Sequence, residues 1–148
     1  MRFTSEGKGA NMTPPVGRLI GAVMATFAIM FVVPFPAYAG FEALGLVELP
    51  QDGSPAQFVL SVLVMKFGVA LGFVFLFVLA RPMFKQRWWL YAGVWWLMYA
   101  IVELGQAIGP GYTGAEAVAG VIAEAVYFPL STVVVSRILT RGADDAQC

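Results

Sequence analysis

Apolar residues along this chain fall into four runs, roughly 19–38, 58–80, 88–108 and 115–135. The links between them are short and either charged or rich in Gly and Pro. Each run holds about 20 residues, enough at ~1.5 Å per residue for a helix to cross a hydrocarbon layer of about 30 Å. A backbone in lipid must satisfy its own hydrogen bonds, so runs of this length fold as helices. The pattern predicts an all-α integral membrane protein, a four-helix antiparallel bundle forming a single domain over residues 1–148.

Local signals mark the ends. Thr13-Pro14-Pro15 and Ser54-Pro55 each place a capping residue before proline in the first turn of a helix. Thr113-Gly114-Ala115-Glu116 has the spacing of a capping box. Arg81-Pro82 is expected to end the second span, and Gly109-Pro110-Gly111 the third. The link 40–57 is the longest, and Phe41, Leu44, Leu46 and Val47 among Glu42 and Glu48 read in part as a short amphipathic helix at the outer surface. Pro50 to Ser54 reads as a turn. The tail 142–148 is polar and expected to be disordered.

Charge sets the direction of threading. Arg2, Lys8 and Arg18 precede the first span, Arg81, Lys85 and Arg87 lie between the second and third, and Arg137 and Arg141 follow the fourth. The other two links hold Glu42, Glu48, Asp52 and Glu116 and no basic residue. Cytoplasmic loops carry the excess of Lys and Arg, so both termini are expected inside (N-in/C-in), in a prokaryotic inner (cell) membrane. Trp88 and Trp89 beside Arg87 fit an aromatic belt at that interface. A competing pattern exists: Ala37-Tyr38-Ala39 after an apolar run resembles a signal-peptide cleavage site, and removal of residues 1–39 would leave three spans.

Composition narrows the chemistry. Hydrophobic residues make up 59% of the chain and charged ones 12%, too few to coat a soluble globule of 148 residues; mean hydropathy is +0.78. There is no His, and the single Cys is the final residue, Cys148. No disulfide, Cys- or His-based metal site or bound cofactor is expected. A formal net charge of zero with no basic block argues against nucleic acid as a partner.

Three ionisable residues sit inside the apolar runs: Lys66, Glu103 and Glu124. In the third span Trp89, Ala92, Trp96, Tyr99, Glu103, Gln106 and Pro110 share one stripe by steps of three and four, and Tyr99 is placed to donate to Glu103 one turn on. In the fourth, Ala117, Gly120, Glu124, Tyr127 and Ser131 share a face, with Pro129 inviting a kink. In the second, Lys66 aligns with Val59, Val62, Ala70 and Phe73. Gly68 and Gly72 make a G-x-x-x-G pair on nearly the opposite side, suited to a second copy or another subunit.

A charge at mid-membrane costs about 2.5–3.5 kcal/mol on insertion scales, so these three are expected to meet rather than face lipid separately. Lys66 pairing with Glu124 or Glu103 would relieve one acid and leave the other without a counter-charge. Lys66, Tyr99, Glu103, Gln106, Glu124 and Tyr127 are therefore the candidate ligand- or ion-binding residues, with no catalytic residue assigned. The bland reading is a structural ion pair that specifies helix packing. Three functions follow. The first is a small protein that binds or transports a solute or proton as a homo-oligomer. The second is a non-catalytic accessory subunit beside other membrane subunits. The third is an intramembrane carboxylate enzyme acting on a lipid or isoprenoid, for which no nucleophile motif is found.

Overall fold

The computed structural model describes residues 14–47, 54–84 and 87–144. These residues form five helical segments and no strand: α1 (Val16–Val32), α2 (Pro34–Ala43), α3 (Pro55–Phe84), α4 (Trp88–Gln106) and α5 (Gly114–Asp144). Three helical stretches are long and apolar enough to cross a membrane: Val16–Ala43, which joins α1 and α2, Ala56–Phe84 and Gly114–Thr140. The chain is a membrane protein. The outward side chains agree, since Val64, Phe75 and Met83 on α3 and Ile101 on α4 are exposed, a distribution that water penalises and lipid does not.

The ends follow local chemistry, with three departures from the sequence reading. The capping box at the start of α5 forms as expected: the Thr113 backbone N–H donates to Glu116 Oε2 at 2.6 Å, and the Glu116 N–H donates to Thr113 Oγ1 at 3.2 Å. α4 ends at Gln106, before the Gly-Pro-Gly turn. Pro82, however, lies inside α3, which runs on to Phe84. One proline near a helix end removes a single ladder bond, and neighbouring helices tolerate this in membrane spans. The first span instead divides at Val33, because Pro34 and Pro36 together withdraw two donors within one turn. The break is slight: Val33 keeps right-handed helical angles and its N–H still donates to the Ile29 carbonyl. The tail also departs from expectation, since α5 continues through residues 142–144; residues 145–148 lie outside the described set, as do Arg2, Lys8, Thr13, Glu48, the turn residues 50–53, and Lys85. α2 takes in the start of the link at 40–43.

α5 is the hub. It packs along α4, α1 and α2, while α1 also packs on α3, and α3 meets α4 over a narrower contact. An aromatic core fills the junction of α3, α4 and α5. Phe73 stacks on Phe128 with centroids 5.8 Å apart and meets Tyr91 edge-on at 5.0 Å, while Trp95 lies against both Phe73 and Phe128. Edge-to-face and offset contacts of this kind add to packing where lipid supplies no hydrophobic drive between helices. Two bonds tie α4 down: the Tyr91 hydroxyl donates to the Phe73 carbonyl on α3, and Trp96 Nε1 donates to the Val121 carbonyl on α5 at 3.2 Å.

Candidate functional site

The predicted stripe on α5 is buried along its whole length: Ala117, Gly120, Glu124, Tyr127 and Ser131 all face inward. Steps of three and four put them on one side of the helix, and that side meets the other elements. On α3, Ala70 and Phe73 are buried and Lys66 is half-buried on the same face. On α4 the middle of the predicted stripe faces the bundle through Ala92, Trp96, Tyr99 and Glu103, while Trp89, Gln106 and Pro110 at its ends are exposed.

Lys66, Glu103, Glu124 and Tyr127 come together. Lys66 Nζ donates to the Tyr127 hydroxyl at 3.5 Å and stands 5.0 Å from the centre of its ring. The Tyr127 hydroxyl in turn donates to Glu124 Oε1, also at 3.5 Å. Both bonds are long, at the limit of useful geometry. The phenol therefore stands between the ammonium and the acid, in place of the direct pairing expected from sequence. Glu124 is only 2% exposed, and its other oxygen, Oε2, has no hydrogen-bond partner. The Glu103 carboxyl is within hydrogen-bond reach of Glu124, a bond that forms only when one of the two acids carries a proton, and within electrostatic reach of Lys66.

Glu103 is held by groups that helical spacing does not reveal. Its Oε2 accepts from the Tyr112 hydroxyl, which sits on the link between α4 and α5, and the Tyr112 oxygen is 3.3 Å from the Tyr38 oxygen on α2. The chain enters Tyr112 from Gly111, whose φ of +83° only glycine adopts without strain. Burial, together with the bond to Glu103, pushes the Tyr112 phenol well above its ordinary value. The carboxyl of Glu103 lies flat on the backbone of α5 at Gly120: a Cβ there would sit 2.6 Å from Glu103 Cδ and 2.8 Å from both carboxyl oxygens. Glycine is thus what lets the acid of α4 approach the helix that carries Glu124.

Two expected members play other parts. Tyr99 does not hydrogen-bond Glu103. Its ring stacks on Trp95 and meets Phe128 edge-on at 5.2 Å, although it still feels the Glu124 charge. Gln106 is exposed and makes no side-chain hydrogen bond among the described residues. On the other side of α3 Gly68 is exposed and Gly72 half-buried, with no atom within 4 Å of either position's added Cβ. A groove of about 390 Å³ opens away from the polar cluster, between Trp88, Trp89 and Trp96 of α4 and Ala125 and Pro129 of α5. Among the described residues no group of three His, Cys, Asp or Glu side chains is arranged to hold a metal ion.

No family model, curated protein or solved structure matches this chain. The functional reading accordingly stands on the geometry of the cluster.

Proposed function

We propose that this protein is a four-span antiparallel bundle, N-in/C-in, in a prokaryotic inner membrane. In this reading it binds and passes a small solute or a proton through the cluster of Lys66, Glu103, Glu124 and Tyr127, working as an oligomer. α4 as the fourth span is supported by its 19 residues and by the apolar side chains on its outward face, Val94, Leu97, Met98, Ile101 and Val102. Its many Trp and Tyr rings lower its hydropathy without making it water-soluble. Oligomerisation is supported by the open glycine face of α3.

The observation that carries the functional reading is the unpartnered Oε2 of Glu124, 2% exposed and beside a second acid. A finished structural network satisfies its buried oxygens, because an orphaned charged acceptor in a membrane interior is costly. Thr26 Oγ1 and Ser131 Oγ are buried without partners too, but they are neutral hydroxyls; an acid kept in that state beside a second acid is far costlier and supports a part in binding. Protein reconstituted in vesicles should dissipate an imposed gradient of proton or solute, and Glu124→Gln should abolish that flux with the helical content unchanged. Wild-type vesicles as tight as empty ones, with the chain recovered at constant ratio with one membrane partner, would decide for the accessory-subunit reading instead.

A further inference from the structure

The cluster does not balance its charge. Among the described residues, the titratable groups that face Glu124 are Lys66 on α3, Glu103 and Tyr99 on α4, Tyr127 on α5 itself, and Tyr38 on α2. Tyr112 on the α4–α5 link completes the set through Glu103. Phenols are neutral in ordinary conditions. With both acids ionised, two carboxylates face one ammonium, a formal deficit of one positive charge. Among the described residues, Glu116, which also acts on Tyr38, is an acid and is already engaged in the α5 capping box. Arg18, Arg81 and Arg87 lie at helix ends, and Arg137 lies on α5 well beyond Ser131 toward its C-terminal end.

Lys66 is turned toward the acids' side of the bundle. Its ammonium rests against the Tyr127 ring and hydroxyl, and that hydroxyl is turned toward Glu124. Tyr127 is fully buried and its ring lies tilted against Phe128 with centroids 4.6 Å apart, so this arrangement is braced by the core. The amine acts as a tethered counter-ion on one side of the acids, while Glu124 Oε2 remains open.

We propose that the site is completed by a single positive charge, a proton or a small monovalent cation, seated between Glu124 Oε2 and the Glu103 carboxylate, with Lys66 as the internal counter-ion. This rests on the reading of the cluster as a binding site and names the sign of what it binds. Coulomb attraction in a poorly screened interior favours such a guest and opposes an anion, which would meet two acids before reaching the amine. The phenols of Tyr112 and Tyr38 lie on the approach to Glu103 from the link side and supply polar contacts there.

The test uses the full chain in detergent and infrared difference spectra of its carboxyl groups. Three exchanges are made separately: sodium for N-methylglucamine at fixed pH, a pH step at fixed sodium, and chloride for sulfate. The inference expects carboxyl bands that respond to sodium or to pH, respond to neither anion, and vanish in Glu124→Gln. A response to sodium identifies a metal cation, and a response to pH alone identifies a proton. Lys66→Met, which removes the internal counter-ion, should tighten cation binding at least tenfold, or move the pH midpoint correspondingly. Glu103→Gln, which balances the cluster, should weaken it at least tenfold, and it keeps the claim testable should Lys66→Met fail to fold. A response to sulfate that Lys66→Met abolishes overturns the inference while leaving a binding site in place. Carboxyl bands silent in all three exchanges remove the site itself, and the functional reading with it.

Discussion

The two ends of the α4–α5 contact are built on different principles. At one end Phe73, Tyr91, Trp95 and Phe128 interlock as rings, and the polar atom of Tyr91 finds a main-chain acceptor. At the other end Glu103, Tyr112, Tyr38 and Glu124 are held by single bonds, by a glycine without a side chain, and by one oxygen with no partner. Ring packing is distributed over many weak contacts and forgives small displacements. The polar end depends on a few directional groups, each of which matters alone. Ring packing thus holds the helices together at one end, while at the other a few polar atoms decide which group meets which.

The largest effect should come from damaging the aromatic end. Phe73→Ala removes a fully buried ring that touches α4 and α5. It should cost about 3 kcal/mol, the lower part of the range for such truncations, because lipid contributes no hydrophobic drive between helices. Unfolding in mixed micelles against added SDS measures this, and equal stability of the variant would show that the rings are filler.

A smaller loss is expected where the two acids approach. Gly120→Ala places a methyl group within 2.6 Å of Glu103 Cδ. The carboxyl must move away, at about 1–3 kcal/mol, the usual cost of overpacking. Unlike Phe73→Ala, this variant should also change the carboxyl bands of Glu103, so stability and spectrum together separate the two ends.

The smallest effect belongs to Tyr112. Tyr112→Phe removes one bond to Glu103 at a half-buried position, worth about 1 kcal/mol. It also carries a pH signature. The phenol is raised above its ordinary value of 10.0, first by burial and then by its bond to Glu103. The folded chain thus holds this proton more tightly than the unfolded chain does. Its contribution is fully present below pH 10.0 and is lost as the pH rises through the folded value. Wild-type stability should therefore fall at alkaline pH more steeply than that of Tyr112→Phe; parallel curves would remove Tyr112 from the network.

Residues within one helix were legible in the sequence. The inward face of α5 from Ala117 to Ser131, the alignment of Lys66 with Ala70 and Phe73, and the Thr113–Glu116 capping box all follow from spacing alone. Contacts between helices were not. Tyr99 stands one turn from Glu103 and was the natural donor, yet Tyr112 takes that part from the link, and Tyr38 joins it across 74 positions of sequence. Periodicity assigns a residue to a face but does not say which neighbour covers that face, and a tyrosine in a loop carries no periodic signal. The prolines show the same limit. Pro34 and Pro36 interrupt a span and Pro82 does not, a difference set by their number and position rather than by residue type.

Gly120 carries one consequence beyond its own helix. Because the carboxyl of position 103 occupies the volume in which a Cβ at 120 would stand, any side chain at 120 must first displace that carboxyl. The spacing between two helices is thus set by an atom that is missing rather than by one that is present.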